Sequence, residues 1–156
     1  QVFHEFPPVF DKDSKILILG SIPSVKSREM GFYYMHPQNR FWKVLENVFQ
    51  EKIKDKKEFC LKHHIALWDT CASCEINASS DASIKKIVPN DLATILDKAS
   101  IKQIFTTGKK AHQIYQKYLY PIYKREDICL SSTSPANAKK HLEDLVSEYK
   151  ILLEFL

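Results

Sequence analysis

Short apolar runs alternate with amphipathic stretches from one end of the chain to the other. Lys15–Gly20 (KILILG) is almost wholly apolar and closes on glycine, the form of a strand buried on both faces. Ile65–Asp69 (IALWD), Ile101–Thr107 and Asp127–Leu130 repeat that form, the third run of the chain followed at once by Gly108. Between them the period changes. From Asn39 to Gln50, apolar residues recur at Phe41, Leu45, Val48 and Phe49, the spacing of one helix face. Glu51–His64 is charged and is predicted to be helical. Asn90 is placed to cap a helix carrying Leu92, Ile95 and Leu96, and Ala111, Ile114, Tyr115, Tyr118 and Leu119 mark another. The last helix gathers Leu142, Leu145, Val146, Tyr149, Leu152, Leu153 and Leu156 on one side, with Ser134 as its predicted cap and Pro135 in its first turn. Only Cys74–Ser83, small and polar, breaks the pattern and reads as a loop.

Strands separated by crossover helices imply a parallel sheet covered on both faces. The expected fold is therefore α/β: a three-layer α/β/α sandwich around a central four-stranded parallel sheet, one domain over residues 1–156. Such sheets bind ligands at the carboxyl ends of their strands. Here those ends are the loops 20–24, 69–73, 107–109 and 131–134. No GxGxxG or phosphate-binding loop follows the first strand, which disfavours a flavodoxin-like nucleotide-binding domain.

Composition narrows the class further. The chain has 156 residues, 44% hydrophobic and 27% charged, enough for one core. No apolar run nears the roughly 20 residues of a membrane helix. The opening QVFHEFPPVF lacks a basic stretch ahead of a long apolar core, so the protein is expected in the cytosol. A formal net charge of +4 permits an acidic partner without demanding one. Cys71 and Cys74 form a C-x-x-C downstream of His63 and His64, spacing that can hold zinc, or an iron–sulfur cluster together with Cys60 and Cys129. Zinc modules carry a second closely spaced ligand pair, which this chain lacks, so reduced thiols and no metal or cofactor are expected. Cys129, in an apolar run, reads as a small core residue.

The most informative segments are Gly20–Ser24 (GSIPS), Gly31–Trp42 (GFYYMHPQNRFW) and Ser132–Lys140 (STSPANAKK). Together they resemble the two signature motifs of the uracil-DNA glycosylase superfamily, and the strand order and final helix extend the resemblance over essentially the whole chain. The first two are similar to the strand-one loop and His-Pro-x-Asn-Arg-Phe-Trp segment of the mismatch-specific glycosylases. They are most similar to the hypoxanthine-DNA glycosylase branch, where a Gly-Ser-x-Pro loop precedes Tyr-Tyr-x-x-Pro-x-Asn-x-Phe-Trp. The third resembles the loop that leads into the final helix. The resemblance implies a monofunctional enzyme that flips a deaminated base, hypoxanthine or uracil, out of double-stranded DNA and hydrolyses its N-glycosidic bond. No lysine is arranged as a Schiff-base nucleophile, and a monomer is expected.

One departure stands out. Many superfamily members carry an acidic or amide residue in the first loop, where this chain has Ile22, which cannot activate water. That keeps open a non-catalytic DNA-binding module on the same fold. By pattern alone Asn39 caps the helix that follows; the resemblance makes it the catalytic amide instead. Backbone N–H groups from Ser21 to Ser24 are candidates to stabilise the departing base, with Ile22 and Pro23 lining its pocket. Asp69 caps a turn or reads the base edge: an ionised carboxylate would accept from the N1–H of hypoxanthine and repel the bare N1 of adenine. Tyr34 aligns with the residue that stacks on the extruded base, and Ser134 is placed against the base. Tyr33 and Phe32 are core or pocket, and Phe41 and Trp42 are core. His36 reads as structural. Ser132, Thr133, Pro135, Ala136, Asn137, Lys139 and Lys140 are expected to face DNA, with backbone N–H groups at the start of the last helix as a phosphate site. In this set Ala136 and Asn137 form a weak wedge. Lys85, Lys86, Lys109 and Lys110 extend the basic surface or are simply solvated.

Overall fold

In chain order the elements begin with β1 (Val2–Phe3), β2 (Ile16–Gly20), α1 (Val25–Met30), α2 (Phe41–Phe49) and α3 (Lys56–Lys62). There follow β3 (Ile65–Asp69), β4 (Cys71–Glu75), β5 (Lys85–Pro89), α4 (Ala93–Leu96) and β6 (Gln103–Thr107). The chain ends with α5 (Lys109–Ile114), α6 (Tyr120–Tyr123), β7 (Asp127–Leu130) and α7 (Leu142–Tyr149). This computed structural model describes residues 2–3, 6–75 and 85–156.

The four apolar runs form one parallel sheet in the order β3-β2-β6-β7. Successive side chains of a strand point to opposite faces, so a strand buried at every position is covered on both. β2 and β3 are buried at all five positions. Each fully buried Ile or Leu of β2 contributes about 1.5–3 kcal/mol. β2 lies between β3 and β6, and Gly20 stands in register with Asp69, which sets the carboxyl ends of β2 and β3 side by side. Helix α2 packs on α7, and α5 lies against β6 and β7. No described helix is long and apolar enough to cross a membrane.

Several elements depart from the pattern for identifiable reasons. The helix predicted over Glu51–His64 is confined to Lys56–Lys62. Gln50 ends α2 in the left-handed region, and the Asp55 carboxylate caps α3 by accepting from Glu58 N–H. Helix α1 escaped the periodicity because it is short. Its punctuation is legible, with Ser24 accepting from Ser27 N–H at one end and Gly31 at φ 68° at the other. The helix after Gly108 widens into a π turn over Tyr115–Leu119 ahead of Pro121, whose ring and missing N–H forbid regular spacing.

Asn90 does not cap the next helix; Asp91 takes the N–H of Ala93, while Asn90 is buried and bonded elsewhere. The last helix starts at Leu142, not at Ser134-Pro135, and its final residues tighten into a 3₁₀ turn over Lys150–Phe155. A 3₁₀ turn keeps Tyr149 and Leu152 on the core side but rotates Leu153 outward, where it is exposed. Cys129, expected in the core, is exposed on the edge strand, whereas Cys60, Cys71 and Cys74 are buried. Cys74 and Glu75 belong to β4, which forms a second, antiparallel sheet in the order β1-β4-β5; the rest of the predicted 74–83 loop lies outside the described residues.

Candidate active site

The carboxyl end of β2 is the floor of the site. Gly20 is fixed there by its neighbours: a Cβ built on it would lie 2.5 Å from Asp69 Oδ1 and 3.3 Å from the Tyr34 hydroxyl. The carboxylate of Asp69, buried at the end of β3, therefore packs directly over the glycine, with the Tyr34 hydroxyl beside it. The turn that delivers Asp69 is clamped. Thr70 N–H donates to Gly20 O at 2.8 Å and Cys71 N–H to Ser21 O at 3.1 Å. The Asn90 amide donates to both Asp69 O and Cys71 O, at 2.8 and 3.0 Å.

Tyr34 reaches Gly20 from the loop after α1, and its backbone sits at φ 55°. That left-handed conformation is uncommon for a residue with a side chain and costs of order 1–3 kcal/mol. Neighbouring bonds hold it there. Ser27 Oγ accepts from Met35 N–H at 2.7 Å, and Trp42 Nε1–H donates to Tyr33 O at 3.0 Å. The Tyr34 hydroxyl shares a 3.0 Å hydrogen bond with Thr107 at the end of β6. Burial, and next the negative charge of Asp69, raise the phenol well above its usual range, so it stays protonated. One face of the ring stacks on Phe41, with centroids 3.9 Å apart and planes 14° apart.

Asn39 closes this chain of contacts. Its Oδ1 accepts from Phe41 N–H at 2.9 Å and from the Thr133 hydroxyl at 2.8 Å. A backbone N–H can only donate, so the oxygen and nitrogen of this amide are distinguished by their partners. Both oxygen lone pairs are engaged, while Nδ2 has no hydrogen-bond partner among the described residues. The loop after β2 adds donors. The N–H groups of Ile22 and Ser24 have no acceptor among the described residues, and the Ser21 carbonyl is held by Thr70 and Cys71. Asp69, Gly20, Tyr34, Phe41, Asn39 and Thr133, drawn from four segments of the chain, thus form one continuous chain of contacts.

Residues 7–154 match the Uracil DNA glycosylase superfamily. The chain belongs to that superfamily. It is a DNA glycosylase, a hydrolase of N-glycosyl bonds with DNA as substrate. A Methanosarcina barkeri protein named Hypoxanthine DNA glycosylase is 32% identical over 134 residues, covering 82% of this chain and 84% of its own. Its namesake from Methanosarcina acetivorans is 33% identical over 140 residues, covering 86% and 87%. A solution NMR structure of a Methanosarcina acetivorans protein provisionally named a uracil DNA glycosylase superposes with a TM-score of 0.76. It is 30% identical, with 95% of this chain and 96% of that one covered.

In this glycosylase the loop from Ser131 to Lys140 has two sides. Its inner side is gripped by Arg40. The Arg40 N–H donates to Thr133 O at 3.1 Å. The guanidinium reaches the carbonyls of Thr133, Ser134, Asn137 and Lys140. Its outer side exposes Pro135, Ala136, Lys139 and Lys140 and borders a groove of about 850 Å³, whose far wall carries Lys109 and Lys110. Cys129 and Leu130 also line this groove; Asn39 and Asp69 do not, so it flanks the buried cluster.

Two expectations about this loop are corrected. Thr133 is 1% exposed and its hydroxyl is engaged by Asn39, so it does not face DNA. The N–H groups around Ser134 are not a helix start: Ser132 Oγ takes Ser134 N–H and Ser134 Oγ takes Ala136 N–H in a local turn. The true start of α7 is closed by Asp144, whose carboxylate accepts from His141 N–H at 3.0 Å. His36 Nδ1 accepts from Gln38 N–H at 3.1 Å. Tyr33, Phe41 and Trp42 are buried in the core. Sequence reasoning missed Arg40, Thr107 and Asn90. Arg40 stands inside the Gly31–Trp42 motif, but nothing in its spacing points to a loop 93 residues away. Among the described residues no group of three His, Cys, Asp or Glu side chains is placed to hold a metal.

Proposed function

We propose that this DNA glycosylase releases hypoxanthine from an everted nucleotide, with Asn39 as the hydrogen-bond donor that stabilises the departing base and Asp69 as the reader of its edge. The observation that carries the reading is the anchoring of Asn39. With its oxygen saturated by Phe41 and Thr133, the carboxamide has only N–H to offer. Heterolysis of the N-glycosidic bond sends the electron pair to the base and leaves the sugar cationic; water then adds at C1′ and its proton is released, giving free base and an abasic site. Donors preset where the negative charge grows lower that barrier most. The Ile22 N–H supplies a second. Because a deaminated base leaves as a stabilised anion, bond breaking runs ahead of water attack, and a first loop without a carboxylate is compatible with turnover.

Asp69 supplies the choice. Deamination turns the bare N1 of adenine into the N1–H of hypoxanthine, and the bare N3 of cytosine into the N3–H of uracil. A buried carboxylate accepts from each product and repels each parent. The names of the two Methanosarcina relatives favour the purine. Tyr34 would stack on the flipped base, and Lys139, Lys140, Lys109 and Lys110 would hold its flanking phosphates.

The test is single-turnover base release from duplexes carrying one hypoxanthine or one uracil, with abasic sites cleaved by alkali. Asn39→Ala is expected to slow release by about 100- to 1,000-fold with duplex affinity little changed. Asn39→Asp, which keeps the shape but has no donor, is expected to fall as far. An active Asn39→Asp would mean the position works as an acceptor or base, and an active Asn39→Ala would remove it from the chemistry.

A further inference from the structure

Thr133 and Asn39 are 94 positions apart, yet their segments are joined in both directions. Arg40 N–H donates to Thr133 O at 3.1 Å, and the Thr133 hydroxyl donates to Asn39 Oδ1 at 2.8 Å. Consecutive residues at the start of α2 thus hold the main chain and the side chain of a single threonine. The guanidinium of Arg40 then fixes the rest of the loop through the carbonyls of Ser134 and Asn137, both at 3.0 Å. The hydroxyl has no slack, because Thr133 is buried and its own carbonyl is pinned.

We propose that Thr133 is a positioning residue for base release: its hydroxyl, held in place by Arg40, fixes and polarises the Asn39 carboxamide so that the amide N–H₂ meets the base. The proposal rests on the reading of Asn39 as a donor. Phe41 N–H alone decides which atom of the amide is the oxygen, but one bond leaves the group free to swing about it. The second donor, from an independent loop, removes that freedom and occupies the lone pair through which Asn39 could otherwise bind water. Two hydrogen bonds on an amide oxygen also draw electron density from its nitrogen, so the N–H₂ becomes a stronger donor to a forming anion. Both effects act when charge develops on the leaving base, so they belong to the rate of release and not to duplex affinity.

The experiment compares Thr133→Val, which keeps the shape and loses the donor, with Thr133→Ser, which keeps the donor and loses a methyl group. Single-turnover release from a hypoxanthine duplex is measured at saturating enzyme beside Kd for a duplex with an uncleavable abasic analogue. Thr133→Val is expected to slow release about 10-fold at unchanged Kd, and Thr133→Ser to stay close to the parent. The side-chain amide ¹⁵N–¹H₂ signals of Asn39 should shift in Thr133→Val and stay put in Thr133→Ser. If Thr133→Val fails to fold, Thr133→Ala takes its place in every comparison. Release by Thr133→Val at the parent rate, or an equal loss in Thr133→Ser, overturns the proposal. Failure of the Asn39 reading has a different signature: Asn39→Ala itself would then retain activity.

Discussion

Two neighbouring regions at the strand ends are built in opposite ways. In the cluster of Gly20, Tyr34, Asp69 and Asn39, the side chains are buried or anchored, each with its place set by a partner from a different segment. In the flanking groove, Lys109, Lys110, Lys139 and Lys140 are carried on a wall and a rim, and among the described residues only Lys140 approaches a carboxylate, Glu148 at 3.9 Å. Chemistry on a forming anion needs donors that do not reorganise, whereas attraction to a phosphate backbone needs charge at about the right place and tolerates motion. The contrast teaches that rate and affinity should be separable by mutation in this protein.

The strongest attempt to break that separation is made at the floor. Gly20→Ala sets a methyl group against the Asp69 carboxylate and the Tyr34 hydroxyl. A displacement of that kind is expected to slow release by about 100-fold while Kd for the abasic-analogue duplex stays within a few-fold. A parallel collapse of affinity would show that the two regions are one. The opposite change sharpens the comparison. Replacing Lys109, Lys110, Lys139 and Lys140 singly with Ala is expected to weaken duplex binding at an unchanged saturating rate of release. The slope of log affinity against log salt should fall by about 1 for each phosphate that is no longer neutralised. A lysine variant with normal affinity but slow release would move that residue into the chemical cluster.

The smallest effect is expected far from both. The Glu51 carboxyl is held below the usual carboxylate range by hydrogen bonds first from Lys62 and then from His63. A group whose folded-state pKa is depressed stabilises the protein fully above its unfolded value and loses that contribution as pH falls through the folded one. The Tm of Glu51→Gln is therefore expected to lie slightly below that of the parent at neutral pH and to converge on it as pH falls through the depressed folded-state value. Release should be untouched at every pH, since the residue touches neither region.

How far the sequence foretold this arrangement depends on where each feature is encoded. The parallel sheet was legible because β2 and β3 are continuous apolar runs whose ends are marked by Gly20 and Asp69, a local signal. The second sheet was not. β5 (KKIVP) is a short strand with Lys85, Lys86 and Val88 exposed, and neither alternation nor length marks it. Asn39, Tyr34 and Asp69 were singled out and are brought together, but the inward turn of Thr133 and the grip of Arg40 were hidden. Each depends on which of two loops, distant in sequence, the fold lays over the other. Ser134-Pro135 misled for a related reason. Its serine does cap backbone N–H, but in a turn that ends well short of the helix it was expected to open.

The packing of the Asp69 carboxylate onto the bare α-carbon of Gly20 makes the two positions share a single volume. A larger residue at 20 crowds the carboxylate at 69, and shortening 69 to make room removes the group proposed to accept from the base edge. Relatives that read a different base edge from this strand end should therefore change both sites in concert. A library randomised at 20 and 69 together should recover folded enzymes with new preferences that neither single-site library contains.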